Sequence, residues 1–342
     1  MSKPHDQWTE AGIFRVSPGI HRIPLPLPND ALRAVNIYVL EDEDGLVLID
    51  GGWDLGEALD QLTTGLAEIG FRIADVRKVL VTHAHRDHYT QALVIRRLSN
   101  AQVYLGALEQ PSVDMYHDAD GGHMTDRLRR LRQGGADTLA DELIERGAVK
   151  PVDPTKWEYP DEWLQDGSEI LLGGRTLTAV HTPGHTQGHL VYADPASALL
   201  FAGDHILPHI TPSIGFEPAV TERALENYLG SLDRILALPD ARLLPAHGPV
   251  SESVHERVRE LVRHHDERLA LSREAVESGD HTALEVAEHL PWTRRGSRFE
   301  TLDPFNQMLA VNETAAHLDV LVSRAELTAR QVDGVRCYDI AG

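Results

Sequence analysis

The chain has 342 residues, 42% hydrophobic and 25% charged, with a formal net charge of −21 at pH 7. That length exceeds a comfortable single core and predicts a large unit followed by a small one. The charge argues against global attraction to nucleic acid, since neutralising a polyphosphate backbone takes clustered Lys and Arg. No apolar run approaches the ~18 residues of a membrane span, and the polar start Met1–Trp8 lacks the apolar core of a secretory signal. The one cysteine, Cys337, forbids an internal disulfide and reads as a small buried hydrophobe in a strand. A cytoplasmic location is expected.

Residues 13–23 and 35–49 read as strands, the second span folding as a hairpin over the acidic turn Glu41-Asp42-Glu43-Asp44-Gly45. Residues 55–69 place apolar side chains at helical spacing, as do residues 90–99. Between them, Lys78-Val79-Leu80-Val81-Thr82 is a short continuous apolar run of the kind buried on both faces of a sheet. It delivers His83, His85, Asp87 and His88. Residues 107–165 carry no strand pattern, only polar helical stretches at Thr125–Gln133 and Asp137–Arg146, and read as an insertion.

Three further apolar runs end in groups able to bind a metal. Leu177–Val180 leads into His181-Thr182-Pro183-Gly184-His185, where Pro-Gly turns the chain and leaves His185 on a loop. Ala198–Ala202 is followed by Gly203 and Asp204, and Arg242–Ala246 by His247. Strands of one sheet end along a common rim, so these distant groups can converge. Imidazole and carboxylate donors without thiolate favour zinc, with manganese and iron also compatible, and five histidines with two aspartates exceed the needs of one four-coordinate ion. A lone histidine such as His21, His117 or His281 is ordinarily a solvated or hydrogen-bonded side chain. Three histidines and an aspartate within six positions are not.

His83-Ala84-His85-Arg86-Asp87-His88, Thr182-Pro183-Gly184-His185, Gly203-Asp204 and Ala246-His247-Gly248 resemble, in order, the motifs of the metallo-β-lactamase superfamily, and Leu48-Ile49-Asp50-Gly51-Gly52 resembles its opening motif. The resemblance spans residues 14–250. It implies an αββα sandwich with one metal on His83, His85 and His185, a second on Asp87, His88 and His247, and Asp204 bridging both. Asp50 is implied to support the ligands through hydrogen bonds. Against compact relatives, the 107–165 insertion is surplus and is expected to form a helical cap over the substrate pocket, with Met115-Tyr116-His117 and Gly121–Met124 as wall candidates. Tyr89-Thr90-Gln91 departs from the small residues usual there, and Thr90 is expected to crowd the backbone.

From Glu252 the pattern becomes helical, with Val254, Val258, Leu261, Val262, Leu269 and Val276 on one stripe. A second helix is predicted at Thr282–Leu290, a third from Asp303 to Val322, then a hairpin of Leu327–Val332 with Val335–Ile340 over Asp333-Gly334. The division is thus 1–250 for the catalytic unit and 251–342 for a winged-helix-like unit, resembling the tail of the subgroup typified by lactamase-β-like protein 2. Arg294, Arg295 and Arg298 offer phosphate contacts, but acidic residues outnumber basic ones in this unit, so packing or homodimerisation is the expected role.

The expected activity is hydrolysis of a thioester, lactone or ester of a small metabolite, using two divalent ions. Asp87 is expected to orient the nucleophile's proton, and His209, Thr211 and Ser213 to offer polar groups to the substrate. A phosphodiesterase or endoribonuclease with the same two-metal site is the second reading. A non-catalytic metal-binding or scaffold protein is the third, weakened because none of the seven ligand positions is lost.

Overall fold

The computed structural model of the protein describes residues 8–28, 31–117, 122–147, 152–219, 223–292 and 296–342. Two sheets face one another. The first runs in the order β1(Phe14–Ser17), β2(Ile20–Pro26), β3(Ala34–Asp42), β4(Gly45–Ile49), β5(Val76–Leu80), β6(Gln102–Gly106) and β7(Glu162–Leu164). Its β1–β4 half is antiparallel and the β4–β7 half parallel. The second sheet has the order β12(Arg242–Pro245), β11(Leu199–Gly203), β10(Leu190–Asp194), β9(Arg175–His181) and β8(Glu169–Leu172).

Side-chain alternation with period two explains the layering. Along β4, Val47 and Ile49 join the core between the sheets while Leu46 and Leu48 face outward. Along β11, Leu199 and Phe201 point inward and Leu200 and Ala202 outward. Both sets are buried, so each sheet needs a helical cover on its outer face. The first is covered by α1(Gly56–Glu68) and α2(Arg86–Ser99). The second is covered by α6(Ala224–Leu236) and α7(Val254–Glu277). This is the expected αββα sandwich.

The 107–165 segment supplies α3(Gln110–His117), α4(Gly122–Gln133) and α5(Asp137–Glu145). The expectation that it holds no strand is corrected by β7, which adds to β6 in parallel with Leu105 opposite Trp163. Three residues are too few to show alternation in a sequence. The expected strand over 13–23 likewise divides at Pro18-Gly19 into β1 and the start of β2.

After α7 come α8(Ala283–His289), α9(Pro304–Ser323) and the hairpin β13(Leu327–Val332) with β14(Val335–Ile340), in register from Leu327 opposite Ile340 to Val332 opposite Val335. Each helix opens on a side-chain cap: Ser253 accepts from the Glu256 amide, Thr282 and Glu285 form a reciprocal box, and Asp303 accepts from Phe305 and Asn306. Cys337 sits on β14 only half-buried, correcting its reading as a core hydrophobe. Leu128, Leu131, Leu139 and Leu143 of the insertion share one core with Met308, Val311 and Leu318 of α9 and with Val191 and Leu200 of the second sheet. The insertion and the tail therefore pack against one another in the core outside the second sheet.

Candidate metal centre

The candidate metal-binding side chains all lie just beyond strand ends, at the rim of the sheets. His83 follows β5, and His85 is the N-cap of α2, which puts Asp87 and His88 in the first turn of that helix. A carboxylate is well placed there, beside the positive end of the helix dipole. His185 lies on the loop from β9 to β10, Asp204 directly after β11, and His247 two residues beyond β12. Gly203 turns the chain at a φ of +50°, and a Cβ there would sit 2.7 Å from His189 Nε2 and 2.8 Å from Thr82. Only glycine leaves the rim that compact.

The ligand atoms form two groups, His83, His85, His185 and Asp204 in one, and Asp87, His88 and His247 in the other, each with its atoms within 4.8 Å of one another. His185 Nε2 stands 3.3 Å from His83 Nε2 and 3.1 Å from His85 Nδ1. Asp204 lies between the groups, with Oδ2 3.5 Å from His185 Nε2 and Oδ1 3.3 Å from His247 Nε2 and 3.7 Å from His88 Nε2. Asp87 Oδ2 is 3.4 Å from His247 Nε2.

Hydrogen bonds behind the rings fix which nitrogen faces inward. A backbone carbonyl only accepts, so His185 Nδ1 donates to Ser213 O at 2.8 Å and His247 Nδ1 to Ala34 O at 2.7 Å. His88 Nδ1 donates to Asp50 Oδ2 at 2.9 Å. The Thr82 hydroxyl spends its one proton on Asp50, so it accepts from His83 Nδ1 at 3.0 Å. Four rings thus aim Nε2 inward. Asp50 is buried and held at a φ of +64°, a conformation that costs a non-glycine residue on the order of 1 kcal/mol or more. That twist aims its carboxylate at the Thr82 amide, the Thr82 hydroxyl and His88 together.

The donor set fits divalent cations. Bare nitrogen lone pairs about 3.3 Å apart repel unless a cation lies between them. The buried Nε2 atoms of His85, His88 and His247 and Oδ1 of Asp204 have no hydrogen-bond partner. Charge points the same way: burial works against it, but Asp50, Asp87 and Asp204 push His88 up to about 9. Burial likewise opposes ionisation of Asp204, yet His247 and His88 hold it well below the usual carboxylate range. The second group demands positive charge, and the first, where burial and neighbouring rings drive His83 well down, offers neutral imidazole. Neutral imidazole and ionised carboxylate are the forms that ligate.

A cleft of about 760 Å³ opens on His85, Asp87, His185 and Asp204. Thr211 and Ser213 line it, as does Tyr116, whereas His209 faces a neighbouring cavity and His117 stacks on Tyr159 at 4.8 Å. Gly121 and the side chains of residues 122–124 lie outside the described residues. So do Arg294 and Arg295, while Arg298 is exposed and pairs with Glu300 at 3.4 Å. Thr90 does not crowd the backbone: its hydroxyl bonds to Arg86 O at 2.7 Å and accepts from the Asp54 amide at 2.9 Å. The close approach is at Gly51, where a Cβ would meet Ala92 N at 2.4 Å.

Sequence reasoning missed His189. Its ring lies 5.0 Å from that of His83, and its Nε2 accepts from the Asp204 amide at 3.2 Å, which braces two candidate ligands at once. The signal was its position, on the same turn as His185 and just before the next apolar run. Also missed were the buried Glu109 and Glu217, which bond to Thr186 and to the Gln187 amide beside His185.

Known proteins supply the remaining context. The metallo-beta-lactamase superfamily model matches residues 30–247, more than half of the chain. A beta-lactamase-like protein 2 homolog of Caenorhabditis elegans is 30% identical over 47% of this chain and 55% of its own length. An atrochrysone carboxyl ACP thioesterase of a Cryptosporiopsis species is 24% identical over 72% of this chain and 59% of its own. The chain thus spans little more than half the length of these two relatives. A metallo-beta-lactamase family protein of Thermus thermophilus superposes with a TM-score of 0.79 at 26% identity, covering 95% of this chain and all of that one. With five ordered motifs, two facing sheets and a rim of histidines and aspartates behind that match, the chain belongs to the metallo-β-lactamase superfamily.

Proposed function

We propose that this hydrolase cleaves a thioester, lactone or ester of a small molecule at a dinuclear site. The observation that carries the reading is the convergence of seven imidazole and carboxylate side chains, three of them (His88, His247 and Asp204) with buried unpartnered ligand atoms, on the floor of a cleft large enough for a metabolite. His83, His85 and His185 would hold one ion and Asp87, His88 and His247 the other, with Asp204 serving both. Zinc suits this donor set best. Bound there, two such ions supply a nucleophile from water at neutral pH and polarise the acyl oxygen.

The chain's own groups do the rest. Asp87, lining the cleft floor, orients the proton of the attacking water. Asp50 keeps His88 in its ligating tautomer. Trp53, Trp157, Phe216 and Phe305 line the cleft and exclude water around the acyl group, which strengthens every charge interaction at the floor. A thioesterase among the relatives favours the acyl reading, and the net charge of −21 works against approach of a nucleic-acid phosphodiester. The test is metal analysis of the purified protein beside rates on a panel of thioesters, lactones, esters, β-lactams and phosphodiesters. Turnover confined to phosphodiesters would replace this reading with the nuclease one.

A further inference from the structure

The insertion side of the cleft holds a charge without a counter-ion. Arg127, on α4, is 6% exposed and lines the cleft. Its guanidinium lies 4.0 Å from the centre of the Phe216 ring, and Nη2 donates to Phe216 O at 2.6 Å. Nε has no hydrogen-bond partner, and among the described residues no carboxylate forms an ion pair with Arg127. Burial lowers its pKa, against the Tyr116 hydroxyl beside it, yet a guanidinium starts so high that it keeps its charge. Acids are not scarce: the chain has 53 Asp and Glu against 32 Lys and Arg. Lys156, on the same cleft, is neutralised by Asp54 at 2.8 Å. A buried cation left unpaired in an acidic protein is costly, so its partner is to be sought among the molecules that enter the cleft.

Position narrows the class of that partner. The Phe216 ring touches both Arg127, 4.0 Å from its centre, and the candidate ligand His85, whose ring centroid is 6.2 Å from it. The cation and the floor therefore pack on the same phenyl ring. Arg127 already hydrogen-bonds to Phe216 O and to the Tyr116 side chain, and the buried Nε left over matches the few acceptors of a carboxylate better than the three oxygens of a phosphate. Arg86, also without an ion pair among the described residues, stacks on Trp53 at 3.7 Å and adds positive potential to the same cleft.

Resting on the hydrolytic reading above, we propose that Arg127 binds a substrate carboxylate, and that the acyl group cleaved here is a short dicarboxylic one with its free acid a few bonds from the scissile carbonyl. The hydrolytic step is unchanged: water adds to the carbonyl, the thiolate or alkoxide leaves with a proton, and a free dicarboxylic acid is released. Arg127 adds affinity and orientation without touching the reacting atoms.

The test compares the adipoyl and hexanoyl thioesters of N-acetylcysteamine, which differ only in the terminal carboxylate. The wild-type protein is expected to prefer the adipoyl ester by about tenfold or more in kcat/KM. Arg127→Met should bring that ratio close to one, chiefly by raising the adipoyl KM. Arg127→Lys, which keeps the charge and loses the planar fork, should fall between, and decides the matter if the Met variant does not fold. Equal rates on both esters in the wild type, or a Met variant that retains the preference, would overturn the proposal. Adipate binding by calorimetry to the zinc-loaded protein needs no turnover: it should weaken at least tenfold in Arg127→Met while acetate binding does not. If neither ester is hydrolysed, the thioester reading fails while the adipate titration still decides the role of Arg127: a loss confined to adipate supports it, and equal affinities overturn it.

Discussion

At the rim of the two sheets, four of the five candidate imidazole ligands are held from behind by a second group: His83 by Thr82, His185 by the Ser213 carbonyl, His247 by the Ala34 carbonyl, and His88 by Asp50. On the wall of the cleft ring and guanidinium contacts dominate, beside the hydrogen bond from Arg127 to Phe216 O. Phe216 packs edge-on to Phe305 of α9 at 5.5 Å, and Arg127 lies over Phe216. Hydrogen bonds are directional and fix an atom to within tenths of an ångström, as metal coordination demands. Ring contacts tolerate sliding, which suits a surface that selects substrates. Changes at the rim should therefore abolish chemistry, and changes on the wall should shift selectivity with the metals still in place.

The largest effect is expected at Asp204. Its Oδ2 faces His185 of the first group and its Oδ1 faces His247 of the second, so Asp204→Ala should remove charge and ligation from two sites at once. Metal content by mass spectrometry and kcat/KM should fall together, beyond the ~100-fold upper end expected for an outer supporting residue. Full metal content with normal turnover would break the distinction between rim and wall at its strongest point. Next comes Asp50→Asn, which keeps the shape and removes the charge facing His88 and Thr82. Metal affinity should drop about 10- to 100-fold, with the folded structure retained. The Arg127 variants belong to the opposite pole: their effect should fall on the choice between acyl groups.

The same distinction explains what could be read from residues in order. The rim was legible because four apolar runs, each buried on both faces, carry their metal-facing groups at or just beyond their ends, so spacing and residue type coincide in His83 to His88, His185, Asp204 and His247. The helices of the tail were legible because their caps at Ser253, Thr282 and Asp303 and the Asp333-Gly334 turn are local signals. The wall was not. Arg127 sits in a polar helix beside Arg129, Arg130 and Arg132, and nothing local tells the buried arginine from its more exposed neighbours. Its burial follows from contact with Phe216, some ninety positions away. The strand β7 was hidden for the same reason, being defined by its partner β6 rather than by its own three residues.

Glu217 and Glu109 stand at the seam between the two regions and give the smallest expected effect. Glu217 takes the Gln187 amide at 2.8 Å, and the Thr186 hydroxyl bonds to Glu109, so both acids brace the loop that carries His185. Burial pushes Glu217 up to about 8, with the neighbouring Glu109 adding to it, and burial pushes Glu109 up to about 7. Both lie above the ordinary 4.5 of an exposed glutamate, so the folded protein holds protons that the unfolded chain releases. Their contribution to stability is full below about 4.5 and is lost as pH rises through about 7 for Glu109 and about 8 for Glu217. Glu217→Gln keeps an acceptor for the Gln187 amide and removes the ionisation, so the decline in Tm between roughly pH 5 and 9 should become shallower in its upper part. Glu109→Gln should flatten the lower part. A wild-type Tm that climbs to pH 8, or a Gln variant that follows the wild-type slope, would mean that these carboxyls are ionised and matched within the fold, and that the seam is built like the rim.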